Sequence, residues 1–554
     1  MILDYTINMI YDKFQQEAID YINQGFSVIV SAPTGAGKTA IAEHVISDSL
    51  EKKIGVIYTA PIKALSNQKF RDFQVNFKDN IGILTGDVSL NPFAPVLIMT
   101  TEIFRNKILD EPESLKRYSW VIFDEIHYID NPERGTVWEE SLIFLPKHMN
   151  ILGLSATIPN IKQFASWIES VHNKPVKTVI EEKRPVPLHF FFQAGNEIVD
   201  KIDRIKRNKF IKPSKLYGLI NYLRNQDGLP CIYFVFGRRR AEELASELAN
   251  TNFLNKDEKI KITELYTSLC ERFNLKNDRT AQDLYQLVQQ GIAYHHAGML
   301  PTLKEVIERL FTSRLIKVIF TTETFALGIN MPSRSVIFDG LRKFYGRYVR
   351  NLKTRDFYQM AGRAGRRGID TEGFVYSRIN LQKIRIDEAK RIIYGPPEAV
   401  KSQLNTSYAT ILNLYGKYQD DLFKVYPLSL HYFQSHKNEQ KEALRLIEAK
   451  LKLLKDWGHI DANGLTQKGL FAKSSYGYEL ILSELYDQQI LEQLDEFGLG
   501  IVAAAVVFEP RKNQRIPSGL SKPTHRIKRT CEEIYDKIKH KEQRFRIYPF
   551  SKIP

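Results

Sequence analysis

The stretch that most constrains this chain is "SVIVSAPTGAGKTA", where three apolar residues (28–30) run into a small-residue loop and then a helical pattern. The apolar run reads as a strand, and "TAIAEHVISDSLEKK" behind the loop as an amphipathic helix. Between them Ala32, Pro33, Thr34, Gly35, Ala36, Gly37, Lys38 and Thr39 fit a phosphate-binding loop, with Ala32 where such a loop usually begins on glycine. The glycines let backbone N–H groups approach phosphate oxygens, and the helix N-terminus adds favourable partial charge. Lys38 is then placed to reach the β- and γ-phosphates of a nucleotide, and the Thr39 hydroxyl to hold Mg2+. A chance glycine-rich turn is the competing reading; the strand before and the helix after count against it.

The same alternation recurs along the chain. "IGVIYTA", "PVLIMTT", "WVIFDE" and "NILGLSA" read as further strands, and "PCIYFVF", "GIAYHHA", "IKVIFTT" and "RSVIFDG" repeat the rhythm later. Near-continuous apolar strands with helical crossovers predict parallel sheets covered on both faces, hence two α/β domains in tandem. Ligands of such sheets bind beyond the carboxyl ends of the strands. A proline-rich junction, "EEKRPVPLHF", divides the two, placing the first domain at 1–183 and the second at 184–385, with a charged helical insertion at about 250–290. Beyond that helices dominate. "KEALRLIEAKLKLLKDWGHIDANGLTQKGLFAKS" suits a winged-helix module, expected over 386–478, and 479–554 reads as a short helical region.

A second carboxylate-bearing element follows the loop. "VIFDEIHYID" delivers Asp124 and Glu125 to the end of an apolar strand. Adjacent side chains on an extended chain face opposite ways, so the two acids need different jobs. Asp124 can hold Mg2+ through its water shell, while Glu125 can polarise an attacking water. The charge balance, +15 with 79 Lys and Arg against 64 Asp and Glu, favours a polyanionic partner. The segment 511–554 alone carries 13 basic and 4 acidic residues, either a nucleic-acid-facing tail or a solvated helical end. The longest apolar run, "IVAAAVVF", is far too short to span a membrane. Cys231, Cys270 and Cys531 are widely separated and make no metal-ligand spacing, and the N-terminus does not read as a signal peptide. A reducing, cytoplasmic setting is expected.

"DEIH", "APTGAGKT", "LSAT" and "QMAGRAGRRG", in this chain, resemble the motifs of superfamily 2 helicases. The longer strings "PIKALSNQK", "VIFDEIHYIDNPERGTVWEE", "LSATIPNIKQFASWI" and "TTETFALGINMPSRSVIFDG" resemble the Ski-like DExH-box subfamily of exosome-associated RNA helicases. The resemblance is dense over residues 10–380. It implies two RecA-like P-loop NTPase domains with ATP in the cleft, a winged helix and a helical ratchet-like domain. It also implies movement from 3′ to 5′ on single-stranded nucleic acid, RNA in preference to DNA. "ILNLYGKYQDDLFKVYPLSLHYFQ" runs directly into the next long helix, leaving no room for the arch that RNA-processing members insert, and the C-terminal region is short. A monomer without a membrane partner is expected. A DNA helicase of the same superfamily, and an ATP-dependent clamp that does not unwind, are the alternatives.

Carried onto this sequence, the resemblance makes Gln15 the adenine reader, with Gln16 as runner-up. It makes Ser155 and Thr157 the residues coupling hydrolysis to domain movement, through the DEIH loop. Pro61, Lys63, Gly86, Thr100, Thr101, Arg184, Thr321 and Thr322 fall in motifs that grip the nucleic-acid backbone, and Gly328 and Asn330 near the ATP cleft. Gln359, Arg363 and Arg366 would face ATP from the second domain, the arginines as fingers, leaving Arg367 solvated or turned to nucleic acid. His295 and His296 read as loop structure or a nucleic-acid contact, because no third ligand stands at metal-binding spacing. "DGLRKFYGRYVRNLKTRDF" is expected to hold a strand-separating hairpin or a packed surface loop, with Tyr345 and Gly346 at its turn.

Overall fold

The computed structural model describes residues 10–132, 134–205, 215–325, 331–345, 348–404, 406–475, 477–507 and 521–551. The chain forms two compact units, one of residues 1–128, 144–345 and 349–400, the other of 129–143, 346–348 and 401–554.

The first unit holds two α/β sheets. Strands β1 (Ser27–Ser31), β2 (Gly55–Ala60), β3 (Ile81–Leu84), β4 (Ser89–Leu90), β5 (Val96–Thr100), β6 (Tyr118–Asp124), β7 (Asn150–Ser155) and β8 (Val176–Ile180) line up as β4-β3-β5-β2-β6-β7-β1-β8. All pairs are parallel except β3 with β4. β1, β2 and β5 are buried along their whole length, as strands covered on both faces must be. Helices α1 (Lys13–Asn23), α2 (Thr39–Glu51) and α3 (Lys63–Phe77) pack on this sheet. Register brings Ser31 beside Ser155, and Asp124 beside Leu154, so three chemistry-bearing loops leave neighbouring strand ends.

The second sheet runs β10-β9-β17-β14-β11-β13-β12, from β9 (Leu188–Ala194), β10 (Glu197–Val199), β11 (Cys231–Phe234), β12 (Ile292–His295), β13 (Val318–Thr321), β14 (Ser335–Phe338) and β17 (Gly373–Arg378). Only the edge strand β10 pairs antiparallel among these. The expected insertion is two helices, Lys256–Arg272 and Arg279–Val288, whose apolar faces join the core of this sheet. That core also takes in Ile386, Ala389, Ile392 and Ile393 of the helix Ile386–Tyr394, beyond the boundary expected at 385. Between β14 and the next helix, β15 (Arg342–Tyr345) and β16 (Tyr348–Asn351) make a separate two-stranded sheet; Gly346 of the expected turn lies outside the described residues. Its base is tied down by Leu352 N–H donating to the Leu341 carbonyl at 2.9 Å and by Lys343 pairing with Glu323.

In the second unit one apolar core runs from Leu404 to Ile547, across the boundary expected at 478. The helix Lys437–Asp456 leads into β18 (Ile460–Asp461) and β19 (Gly464–Leu465), then the helix Gln467–Ser474. The long helix Lys522–Arg544 buries Cys531, Ile534 and Ile538 on the same core. Residues 129–143, between β6 and β7 in sequence, belong to this unit. Their helix Gly135–Ile143 inserts the fully buried Glu139, whose carboxylate accepts from Ser402 Oγ at 2.7 Å and Leu430 N–H at 2.6 Å. All three cysteines are buried and free. Among the described residues no helix is long and apolar enough to cross a membrane.

Candidate functional site

β1 ends where the apolar run ends, and the loop to α2 wraps over it. Gly35 and Gly37 hold φ of +85° and +90°, in the left-handed region that glycine alone enters freely. At Gly37 a Cβ would also stand 2.2 Å from an Arg367 Nη1 and 2.9 Å from Gln15 Nε2, side-chain ends that could shift, so it is the backbone angle that requires glycine. α2 starts at Thr39 with no side chain capping it, which leaves its first turn to a ligand phosphate. Lys38 Nζ donates back to the carbonyls of Ala32 (2.8 Å) and Pro33 (3.1 Å). Burial pushes the Lys38 ammonium down, opposed by Glu125 and Asp124. Gln15 is buried against the same loop, its Nε2 donating to the Gly37 carbonyl at 2.8 Å and its Oε1 accepting from Asp12 N–H at 2.8 Å. Gln16 is exposed and bonds Asp20 instead.

Asp124 closes β6, buried, with its Oδ2 accepting from the Tyr58 hydroxyl. Burial raises its carboxyl, and Lys69 is the leading charge that pulls it back. Lys69, on α3, also donates to Thr39 Oγ1 at 2.9 Å. Glu125 takes φ +57°, a left-handed backbone costing roughly 1–2 kcal/mol for a residue with a Cβ, and its N–H donates to Asp124 Oδ1 at 3.1 Å. His127 joins this loop to the end of β7: its Nδ1 accepts Ala156 N–H at 3.3 Å, with Ser155 Oγ 3.5 Å away. An accepting Nδ1 puts the ring proton on Nε2, so the 3.4 Å approach of Glu125 Oε2 to Nδ1 is proximity rather than an ion pair. Ser155 Oγ itself donates to the Ala156 carbonyl at 2.7 Å, and Thr157 is half-buried beside it.

The second sheet faces this loop with the segment 359–368. Gly362 packs so closely on Thr34 that a Cβ there would lie 2.7 Å from the threonine Cβ. Arg363 is half-buried; desolvation pushes its guanidinium down and Glu125 pushes it back. Gln359 is half-buried on the helix Thr354–Ala361. Arg366 is held by a local partner. Its Nε and Nη2 grip Asp370 at 2.7 and 2.8 Å, four residues on across a turn, because a paired carboxylate offers the planar guanidinium two bonds at once. Arg367, expected to be a bystander, reaches the Ala36 carbonyl and Asp12, both at 2.8 Å.

Arg184 stands at the phosphate loop. It donates to the carbonyls of Gly362 (2.8 Å) and Ala364 (2.6 Å), beside Gly35. Burial pushes it down to about 10, and neighbouring Arg363 adds to the fall. Thr101 and Thr321 are buried, and their hydroxyls turn to the carbonyls of Ala60 and Thr322, since a buried hydroxyl must find an acceptor. Neither side chain is free to grip a strand. Thr100 and Pro61 are buried as well, and Thr322 is half-buried. Lys63 is exposed over Gly86 and bonds Asp87 at 2.7 Å, bringing two of the expected backbone-gripping motifs together. His295 and His296 are pinned to Glu308 (3.1 Å) and Glu242 (2.8 Å) on neighbouring helices. Gly328 and Asn330 lie outside the described residues.

Sequence reasoning passed over Tyr58, Lys69 and His127. His127 stands in the quoted "DEIH" and Lys69 in "SNQK"; only Tyr58, inside an apolar strand, carried no signal. Thr39 and Asp124 offer hard oxygens suited to Mg2+, which takes one or two carboxylates and fills its shell with water and phosphate. Among the described residues no cluster of three or more His, Cys, Asp or Glu stands ready for a metal by itself.

Residues 12–164 match the DEAD/DEAH box helicase model, and 268–368 the helicase conserved C-terminal domain. Over 458 residues the chain is 39% identical to mRNA transport homolog 4 of Caenorhabditis elegans, covering 77% of this chain and 44% of that protein. Over 437 residues it is 38% identical to the human Exosome RNA helicase MTR4, covering 73% and 42%. The Antiviral helicase SKI2 of Saccharomyces cerevisiae is 38% identical over 485 residues, covering 73% and 38%. The chain therefore spans about two fifths of the length of these curated relatives. With both helicase models matched in chain order, each on its own sheet, and Ski-like relatives aligned along some three quarters of the sequence, the chain belongs to the Ski-like DExH-box helicases of superfamily 2.

Proposed function

We propose that this chain is an ATP-dependent RNA helicase or translocase that moves 3′ to 5′ by hydrolysing Mg-ATP between its two RecA-like domains. The observation that carries it is the meeting of the Gly35–Gly37 loop with Arg184, Gly362 and Arg367, which gives one nucleotide site two walls from two sheets. The relatives named as RNA helicases support RNA over DNA as the strand. The second unit would follow as a winged-helix-like module and a ratchet-like helical region. RNA decay or processing is the setting this implies.

In this reading Lys38 exchanges the Ala32 and Pro33 carbonyls for β- and γ-phosphate oxygens. Thr39 and Asp124 hold Mg2+, which when bound neutralises charge on the phosphates. Glu125, on its left-handed backbone just past Asp124, orients the attacking water and takes its proton. Arg363 supplies positive charge opposite Lys38 as negative charge builds on the γ-phosphate. His127 and Ser155 relay the state of the Glu125 loop to the end of β7.

The test compares ATP turnover with RNA, single-stranded DNA and duplexes, then unwinding of duplexes with a 3′ or 5′ overhang. RNA-stimulated turnover and unwinding from the 3′ overhang are expected. Equal stimulation by deoxy strands would end the RNA preference. Turnover without unwinding would leave a clamp, and unwinding from the 5′ overhang alone would reverse the polarity.

A further inference from the structure

Lys69 lies outside every role assigned above, yet it bonds one of the two groups that would hold Mg2+ and acts on the other through its charge. It is 9% exposed, with its Nζ on Thr39 Oγ1 at 2.9 Å. The ammonium stands 6.0 Å from the Tyr58 ring centre and 5.7 Å from that of Phe73, and Tyr58 in turn donates to Asp124. It is also the leading charge that draws down Glu43 and Asp72, both lifted by burial. A buried ammonium is costly unless acids surround it, and here three do.

A threonine hydroxyl has one proton and two lone pairs, and both an ammonium donor and a metal ion need a lone pair. Two cations sharing Thr39 Oγ1 and the charge of Asp124 repel at close range in a poorly screened site. We propose that Lys69 is a resident counter-cation of the metal site, which holds Thr39 and Asp124 against bare divalent ions. Metal then enters with nucleotide phosphates, whose negative charge offsets the repulsion. Lys69 is a positioning residue; this role rests on Thr39 and Asp124 holding the metal, as proposed above.

The experiment titrates nucleotide-free full-length protein with Mn2+, following loss of the free-ion signal by electron paramagnetic resonance. Wild type should bind weakly. Lys69→Met should bind at least about tenfold more tightly, a gain modest beside the repulsion removed. Lys69→Arg, which keeps the charge, should resemble wild type, and adding Asp124→Asn to Lys69→Met should erase the gain. Unchanged or weaker Mn2+ binding by Lys69→Met, or a gain that survives Asp124→Asn, overturns the proposal. Should Lys69→Met not fold, Lys69→Gln carries the same expectation. Wild type also tests it unaided: bare Mn2+ binding as tight as Mn2+ with ADP overturns it. Failure of Mg-ADP to raise the melting temperature of wild type would instead sink the nucleotide-site reading.

Discussion

Glu139→Gln should change how the second unit responds to pH. Burial raises the Glu139 carboxyl from 4.5 to about 7, opposed by the Ser402 hydroxyl and the N–H groups of Leu430 and His431. The folded state therefore keeps a proton that the unfolded chain has already released. The stability this lends is complete below pH 4.5, falls as pH rises through the interval to 7, and is gone above it. At 1.36 kcal/mol per pH unit the fall is about 3 kcal/mol. His459 works the other way. Burial, with Lys468 adding to it, pushes its imidazole from 6.5 down to about 3, so its contribution is complete above pH 6.5 and fades as pH falls towards 3. Between pH 4.5 and 6.5 the two slopes oppose each other, and wild type should look nearly flat there. Removing the ionisable group at 139 exposes the histidine slope, so Glu139→Gln should gain stability relative to wild type as pH rises from 4.5 to 7. Urea unfolding read by hydrogen–deuterium labelling of the helix Lys437–Asp456 reports on this unit alone. Parallel curves for the two proteins between pH 4.5 and 8 would show that the carboxyl does not carry the proton.

Lys38→Ala should abolish ATP turnover, and Glu125→Gln should retain ATP while hydrolysing it very slowly; filter binding and phosphate release separate the two. Arg363→Ala should lower turnover by on the order of 10³–10⁵, the range of arginine fingers, whereas Arg366→Ala should chiefly lower the melting temperature by leaving buried Asp370 to Arg334 alone; the opposite pattern would restore Arg366 as the finger. Asp12→Ala and Arg367→Ala should be non-additive in a double-mutant cycle on thermal stability, with coupling of about 0.2–1 kcal/mol because both side chains are partly exposed.

What was legible in the sequence was local. The phosphate loop announces itself because a strand, two glycines that must turn left-handed, and a helix start all fall within fifteen residues. Asp124 and Glu125 follow from where an apolar run stops. The arginines of 359–368 were harder, since their partners decide their roles. Asp370 stands one turn from Arg366 and was readable in principle, but Asp12 lies more than three hundred residues from Arg367. Arg184 was assigned by analogy, and only the folded chain brings it to the carbonyls of Gly362 and Ala364. Thr101 and Thr321 carry hydroxyls that suit phosphate contact, yet burial commits them to carbonyls, which no single-sequence pattern reveals. Likewise, nothing local says that residues 129–143 leave the first sheet for another core.

The missing carbon at Gly362 has a mechanical meaning. Where it meets Thr34 there is no clearance, not even for a methyl group. Elsewhere along the cleft an arriving ligand can be absorbed by a lysine or arginine that swings aside. At this point a backbone meets the Cβ of Thr34, so a push of one loop against the other is passed on rather than absorbed. In the ATPase proposed above, a joint with slack would lose part of each push to taking up play; a glycine pressed on a threonine leaves little to take up.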